Sequence, residues 1–138
     1  MKIKLDEGAF APVRIHPEDA GMDLFSMEEK DIIPYGTGLF RTGVHVELPK
    51  GTAGLLVSKS GLLVKNDITS TGLIDCNYRG EIMVKLHNHS GYTFHVQKGM
   101  RISQMVVIHV DFEQIELVDE LDMNTDRGES GFGSSGLF

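Results

Sequence analysis

The chain has 138 residues, a formal net charge of −7 and one cysteine, Cys76. This length suits one domain with its own core, and the acidic balance excludes the broad basic surface that holds polymeric nucleic acid. No apolar window is long enough to span a membrane, the N-terminus lacks the apolar stretch of a signal peptide, and one cysteine cannot form an internal disulfide, so we expect a cytoplasmic protein.

Apolar residues recur at the strand period along most of the chain. The predicted strands, in chain order, are Val44–Leu48, Leu55–Val57, Ile82–Leu86, Ile102–Val110 and Ile115–Leu117. The fourth run is nearly continuous in apolar residues, which predicts a strand covered on both faces. The fifth is expected to be an edge strand. At most one or two turns of helix fit, near Ser60–Lys65.

Turns that contain glycine or proline separate these runs at short spacings, for example Pro34–Gly36, Pro49–Gly51 and Tyr78–Gly80. Many short strands without helical crossovers predict an all-β domain, a distorted jelly roll or β-barrel, over residues 1–123. The periodicity stops after Val118, and residues 124–138 form a separate C-terminal tail.

This tail contains four glycines and three serines, a composition that by itself favours a disordered terminus. Arg127 and Phe132 among the glycines favour another interpretation. Glycine lets backbone N–H groups approach phosphates, arginine offers a planar fork to a phosphate, and an aromatic ring can cover a base. We therefore predict a flexible tail that becomes ordered on a nucleotide and closes over an active site.

Five short segments, the tail included, carry a resemblance to a known family. They are Ala20–Leu24, Ser58–Leu62, Gly72–Glu81, Gly99–Gln104 and Arg127–Gly136. In this order and over nearly the whole chain, they resemble the five motifs of the trimeric dUTP pyrophosphatases (dUTPases). The resemblance implies a β-clip type of jelly roll, a homotrimer with shared active sites, and Mg²⁺-assisted hydrolysis of dUTP to dUMP and diphosphate by water attack on the α-phosphorus.

The third motif carries the catalytic aspartate of the resembled family. By itself, Asp75 reads as a turn aspartate; by resemblance it orients and deprotonates the attacking water, a role that suits an ionised carboxylate. The resemblance places the Tyr78 ring against the deoxyribose, where it excludes a 2′-hydroxyl. Leu73, Ile74 and Met83 complete this part of the substrate-binding set, and the backbone of the strand that carries Met83 reads the uracil edge.

The first, second and fourth motifs supply the implied contacts to phosphate and metal. Asp23, by itself a solvated turn residue, holds Mg²⁺ through a water molecule in the resembled family. Lys59, Ser60, Gly61 and Gln104 contact the phosphates. Lysine at 59 departs from the arginine that the family usually has, so it keeps the charge but loses the bidentate fork.

The fifth motif supplies the closing segment. By resemblance, Phe132 covers the uracil, while Arg127 assists catalysis and closes on the γ-phosphate together with Gly133, Ser134 and Ser135. In the family the three parts of one site come from three chains: the aspartate and tyrosine from one, the phosphate-binding motifs from a second, and the tail from the third.

Three alternatives remain open from the sequence. A dCTP deaminase of the same fold carries a catalytic glutamate on the strand after the third motif, where this chain has Lys85. A nucleotide-sensing regulator would bind dUTP to control a protein partner. A structural β-module with a disordered tail would make the five matches coincidental. Cys76 is interpreted as a bystander, and no binding residue is assigned to the connection 67–72, which is shorter than in many family members.

Overall fold

The computed structural model describes residues 1–131. Within them the secondary structure is almost entirely β. The elements are β1 (Lys2–Leu5), β2 (Gly21–Phe25), β3 (Lys30–Ile32), β4 (Thr37–Arg41), β5 (Val44–Glu47), β6 (Thr52–Val57), α1 (Ser60–Asn66), β7 (Ile68–Asp75), β8 (Met83–Asn88), β9 (Phe94–Val96) and β10 (Arg101–His109). None of the described helices is long and apolar enough to cross a membrane.

All strand pairs are antiparallel. Six strands form one curled sheet in the order β2-β10-β6-β7-β8-β4, and two further pairs, β1-β5 and β3-β9, complete the architecture. The prediction of an all-β, jelly-roll-like fold is confirmed. The buried core collects side chains from several sheets, among them Leu24, Ile32, Phe40, Val46, Ile82, Leu86, Val96 and Met105.

The predicted strands 44–48, 55–57, 82–86 and 102–110 correspond to β5, β6, β8 and β10, and the short helix is α1. β10 is a central strand between β2 and β6, and its consecutive residues Ile102 and Ser103 are both buried. Its second half, residues 106–108, is only half-buried, so the prediction of cover on both faces holds for its first half.

The prediction of an edge strand at Ile115–Leu117 is wrong for the isolated chain. No strand is present there, and Ile115 and Leu117 are 92% and 94% exposed. The apolar alternation is real, but within residues 1–131 no strand lies beside this segment to pair with its backbone. A strand needs a neighbour to satisfy its N–H and C=O groups, and no other strand of residues 1–131 provides one here.

The segment 67–72 was interpreted as a connection, but it is mostly strand. Residues 68–72 form the first half of β7, in which Ile68 and Ser70 are buried and Thr69 and Thr71 are not. β-Branched residues in alternation suit this environment. Asp23 was likewise placed in a turn by its prolines and acids upstream; it lies instead in the middle of β2, where it pairs with Gln104 of β10.

The first candidate site lies where β7 and β8 separate. β7 pairs with β8 only over Ile68–Ser70, whereas it pairs with β6 from Thr71 to Asp75. Residues 76–82 therefore form a wide loop instead of the tight turn predicted at Tyr78–Gly80. Because the strands separate after Ser70, a gap opens between the end of β7 and the start of β8.

Candidate functional site

The gap between β7 and β8 is a cleft of about 270 Å³, which we call the β7–β8 cleft. Its lining residues are Leu73, Ile74, Asp75, Tyr78, Glu81 and Met83. Five of these six were predicted as site residues from the third motif and the strand that follows it; Glu81 was not. The structure thus brings together the predicted catalytic aspartate, the predicted sugar-facing tyrosine and three predicted substrate-binding residues.

Asp75 is the last residue of β7, and its side chain is exposed. Its backbone carbonyl accepts a hydrogen bond from Tyr78 N at 3.0 Å, which starts the loop. Within residues 1–131 its carboxylate accepts no hydrogen bond and forms no ion pair. A carboxylate in this state has both oxygens available to water and to a ligand hydroxyl.

The Tyr78 ring lies over its own loop. Its hydroxyl donates to the Glu81 carbonyl at 3.0 Å, and the ring is 43% exposed. Gly80 makes this position possible, because a Cβ at residue 80 would lie 2.2 Å from the tyrosine oxygen. The glycine of the third motif therefore gives the ring room to fold back toward the cleft.

A second cleft of about 470 Å³ lies along β2, β10 and the start of α1, and we call it the β2–β10 cleft. Its lining includes four side chains that were predicted to contact the phosphates or the metal ion, namely Asp23, Lys59, Ser60 and Gln104. Gly61 follows Ser60 in α1, and a Cβ there would meet no atom within 4 Å. These motifs meet in three dimensions although up to 81 positions separate them.

Asp23 is the buried centre of this cleft, with a side chain only 7% exposed. Lys59 Nζ donates a hydrogen bond to its Oδ1, and Arg101 Nε lies 3.7 Å from Oδ2. The residue selection from sequence missed Arg101. Its signals were its place inside the fourth motif and its charge at the start of the long apolar run, but the residue that it would face depends on the pairing of β10 with β2.

Gln104 explains the glycine at position 21. Gln104 Nε2 donates to the Ser58 carbonyl at 3.1 Å, and its Oε1 would lie 2.4 Å from a Cβ on residue 21. A larger residue at 21 would therefore displace the amide from the cleft. The first motif thus contributes its glycine to the position of a side chain from the fourth.

The two clefts are separate surfaces of one chain and share no lining residue. Asp75 of β7 lies opposite Ala53 of β6, which lies opposite Ile108 of β10. On β10, Gln104 lies opposite Asp23 of β2. Asp75 and Asp23 are therefore three strands apart, about 14 Å across the sheet, and four residues apart, about 13 Å along it. A single chain does not bring Asp75 to Lys59.

Arg127 belongs to neither cleft in the chain. It is exposed, and its Nε donates to the Ser130 carbonyl at 2.9 Å within the tail itself. The described residues 110–131 contain no helix or strand. The predicted tail residues Phe132, Gly133, Ser134 and Ser135 lie outside the described residues.

The described residues offer no protein cage for a metal ion, since none of their His, Cys, Asp and Glu side chains cluster in threes. Asp23 is a single carboxylate, already neutralised by Lys59 and Arg101. This donor set fits Mg²⁺ only when the ion arrives with anionic ligands of its own, because two cations beside the carboxylate oppose a free divalent ion. A triphosphate provides such ligands.

Comparison with known proteins gives the same assignment by three routes. The family model described as dUTPase matches residues 8–136. The deoxyuridine 5′-triphosphate nucleotidohydrolase of Alkaliphilus metalliredigens is 48% identical, with 99% of this chain and 97% of the relative covered. That of Clostridium tetani is 44% identical, with 99% and 96% covered.

Solved structures agree with the sequence relatives. The dUTPase of Staphylococcus bacteriophage 80alpha with dUpNHpp is 31% identical, covers 99% of this chain and 98% of its own, and has a TM-score of 0.92. A variant dUTPase of S. aureus phage phi11, described for the coordination of a structural Mg(II) ion, is 27% identical, with 86% of this chain and 96% of its own covered and a TM-score of 0.80. By sequence, motif order and fold, the chain belongs to the dUTPase family.

Proposed function

We propose that this chain is a hydrolase of a phosphoric anhydride that converts dUTP and water to dUMP and diphosphate. One observation carries the proposal. The described chain presents a free carboxylate, Asp75, beside a tyrosine in one cleft, and a set of phosphate-binding groups in another. A nucleoside suits the first cleft and a triphosphate suits the second.

Asp75 holds the attacking water and accepts its proton as the oxygen bonds to the α-phosphorus. The bond between the α-phosphorus and the oxygen that bridges to the β-phosphorus breaks, and diphosphate leaves. The exposed, unpaired carboxylate supports this role because it is free to accept hydrogen bonds from the water and the sugar 3′-hydroxyl. Tyr78 excludes the 2′-hydroxyl of ribonucleotides, and Leu73, Ile74 and Met83 line the remainder of the nucleoside site.

Lys59, Ser60, Gly61 and Gln104 bind the phosphates in the β2–β10 cleft. Lys59 stabilises the charge that develops on the phosphate oxygens, and Ser60 and Gln104 donate hydrogen bonds. Lysine in place of the family's usual arginine binds as a point charge without bidentate geometry. The ion pair of Lys59 with Asp23 keeps the ammonium in the cleft before the substrate arrives.

Asp23 is the residue that would hold Mg²⁺, through a coordinated water. Bound to the triphosphate, Mg²⁺ would neutralise charge on the leaving diphosphate. One carboxylate in the cleft is enough for this role, because Mg²⁺ keeps several of its waters. The cations Lys59 and Arg101 hold the Asp23 carboxylate in the cleft.

The working protein is a homotrimer in which Asp75 of one chain meets the β2–β10 cleft of a second. Two features support association. The separation of the clefts leaves each half incomplete in one chain. The segment 112–123 also carries apolar side chains that a monomer leaves in water, among them Phe112 at 71%, Ile115 at 92% and Leu117 at 94% exposure.

The free edge of β1 offers a place for this segment from a neighbouring chain. Among the described strands β1 pairs only with β5, so its other edge is free. A groove of about 510 Å³ along this pair is lined by Lys2, Ile3 and Lys4 of β1, by His45, Val46 and Glu47 of β5, and by Arg79. The sequence of residues 113–117, Glu-Gln-Ile-Glu-Leu, alternates acidic or polar with apolar residues and so complements this basic edge. An added strand would satisfy the backbone of both segments.

The third chain contributes the tail. Residues 1–123 form the β domain and 124–138 a flexible closing segment, in which Phe132 covers the uracil and Arg127, Gly133, Ser134 and Ser135 close on the γ-phosphate. The exposed, unpaired guanidinium edge of Arg127 within residues 119–131 is compatible with capture of a phosphate. The lone cysteine, which cannot form an internal disulfide, supports a reducing compartment such as the cytoplasm for the enzyme.

The direct test is release of diphosphate from each common deoxynucleotide and from UTP, with Mg²⁺ present. We expect hydrolysis of dUTP in strong preference to dCTP, dTTP and UTP. Ammonia release from dCTP would instead favour a deaminase; Lys85 stands exposed on β8 outside the β7–β8 cleft, which disfavours it. Tight binding of dUTP without diphosphate release would favour a regulator that only senses the nucleotide.

A further inference from the structure

Glu81 is the one lining residue of the β7–β8 cleft that has no assigned role. Its side chain is 18% exposed, and its carboxylate accepts three hydrogen bonds from two donor groups, at the end of β4 and in the turn that follows. Arg41 Nε lies 3.2 Å from Oε1 and 3.0 Å from Oε2, and Gly43 N donates to Oε1 at 2.8 Å. The carboxylate is therefore held from outside the loop that carries it.

The backbone around Arg41 and Gly43 is closely packed and held by further contacts. Gly43 is buried at a φ of +65°, and a Cβ there would lie 2.4 Å from the Met27 sulfur. The Arg41 Nη2 also donates to Asp6 Oδ2 at 3.2 Å. The donors that hold Glu81 thus have contacts of their own outside the loop 76–82.

The backbone of Glu81 connects this anchor to Tyr78. Its carbonyl accepts the Tyr78 hydroxyl at 3.0 Å, and within residues 1–131 the hydroxyl has no other partner. The next residue, Ile82, is fully buried and donates its N–H to the Val44 carbonyl at 2.8 Å. The orientation of the tyrosine ring is therefore set by where Glu81 is held.

We propose that Glu81 is a positioning residue for sugar selection: Arg41 and Gly43 clamp its carboxylate, and its carbonyl orients the Tyr78 ring against the deoxyribose. This inference rests on the proposed function, in which Tyr78 excludes the ribose 2′-hydroxyl. Loss of the clamp leaves the ring in place on average but lets it tilt, so a ribonucleotide is excluded less strictly. Selection between dUTP and UTP then depends on a contact outside the substrate site.

A purely structural role for Glu81 makes a different prediction. In that case substitution would lower stability and would reduce the efficiency for both nucleotides alike. Glu28 provides the matched control, since its Oε2 accepts Arg41 N at 2.8 Å and Lys30 Nζ at 3.2 Å, yet it does not line the cleft. Both carboxylates thus hold the end of β4, and only Glu81 also contacts the tyrosine.

The experiment measures kcat and KM for dUTP and UTP, with melting temperatures, for the wild type, Glu81→Gln, Arg41→Lys and Glu28→Gln. We expect the ratio of kcat/KM for dUTP over UTP to fall at least about 10-fold in Glu81→Gln, the scale of one lost charge-assisted hydrogen bond. The kcat for dUTP should change less than about 3-fold, because Asp75 is untouched. Arg41→Lys should give a smaller fall, and Glu28→Gln none.

Tyr78→Phe completes a double-mutant cycle. Phenylalanine keeps the ring but cannot donate to the Glu81 carbonyl, so its selectivity should fall as well. If Glu81 acts through Tyr78, adding Glu81→Gln to Tyr78→Phe should cause little further loss of selectivity. Additive effects would mean that the two residues act independently and would overturn the inference.

The outcomes separate this inference from the proposed function. A wild type that does not hydrolyse dUTP contradicts the proposed function itself. A wild type that does, with an unchanged dUTP to UTP ratio in folded Glu81→Gln, contradicts the role of Glu81 alone. If Glu81→Gln does not fold, Arg41→Lys decides in the same way, because it keeps the charge and removes only the fork.

Discussion

The chain carries two site aspartates that the fold treats in opposite ways. Asp75 lies at the end of a strand, exposed, and within residues 1–131 its carboxylate has no partner. Asp23 lies in the middle of a strand, 7% exposed, between the cations Lys59 and Arg101. In sequence both are acids that follow apolar residues in short motifs, and the difference in their surroundings comes from the fold.

The difference separates two kinds of work for a carboxylate. A base that takes a proton from water must keep its lone pairs available, which an exposed position without cations provides. A carboxylate that arranges cations around a phosphate site is better buried and paired, since desolvation strengthens its hold on them. The predictions below test this division, beginning with the largest effect.

Asp75→Asn removes the base without changing shape. We expect turnover of dUTP to fall about 1,000-fold, within the range for loss of one general base. The melting temperature should stay near that of the wild type because the side chain is exposed and unpaired. Steady-state kinetics and calorimetry measure both. Near-normal turnover would show that Asp75 is only a turn residue and that the two aspartates do not divide the work as described.

Deleting the chain after Asn124 tests the tail as a third part of the site. Turnover should fall about 100-fold, the scale of losing a preorganised group at the phosphates. The melting temperature and the oligomeric state should not change, because residues 125–131 are exposed and contribute nothing to the core. Light scattering and thermal unfolding provide the controls, and a truncated protein with full activity would leave the tail without a catalytic role.

Lys59→Gln leaves Asp23 buried beside Arg101 alone. We expect a loss of about 1–3 kcal/mol in unfolding free energy, since one partner of a buried carboxylate is gone and the other lies farther away. The KM for dUTP should rise about 10-fold through the lost charge at the phosphate. Lys59→Arg should keep the stability and bind at least as tightly as the wild type. If Lys59→Gln is as stable as the wild type, then Lys59 does not stabilise the buried Asp23 carboxylate, which contradicts this account of Asp23.

His95 gives the smallest effect and serves as a control far from both clefts. The hydrogen bond to Asp31 raises the pKa of His95, and Glu29 at 3.5 Å adds to the effect. Protonated His95 therefore stabilises the fold; the contribution is complete below about pH 6.5 and disappears as the pH rises through the raised pKa. His95→Gln should melt lower than the wild type at pH 5.5 and equally at pH 9. Its activity should match the wild type at both pH values.

The sequence predicted what depends on local pattern. Period-two runs located β5, β6, β8 and β10, and the first four motifs selected side chains that the fold gathers in two clefts. The fifth motif is not among them, since Arg127 lies in neither cleft. Ile115–Leu117 was a wrong prediction for the isolated chain because alternation describes a strand's faces and not whether a neighbour exists to pair with it. The same alternation supports pairing with a second chain.

Other features could not be predicted because they depend on the register of distant strands. Asp23 was expected in a solvated turn, yet β10 and Lys59 bury it. Arg101 reaches Asp23 only because β10 pairs with β2. Glu81 takes its importance from donors 38 and 40 positions away, Gly43 and Arg41. Motif order identifies which residues matter, and strand register decides how each is charged, buried and held.

The central claim is that the base and the phosphate-binding groups of one site come from different chains. The most direct test mixes Asp75→Asn and Lys59→Gln chains in equal amounts, with subunit exchange verified by native mass spectrometry. A site is complete when the chain that supplies Asp75 is a Lys59→Gln chain and the chain that supplies the phosphate-binding groups is an Asp75→Asn chain. Activity is measured at dUTP concentrations well below the wild-type KM, where the Lys59→Gln parent keeps about one tenth of wild-type activity and the Asp75→Asn parent almost none. Random mixing should then restore about one quarter of wild-type activity in a closed ring. A mixture no more active than the average of its two parents would contradict the claim and place both groups in the same chain's site.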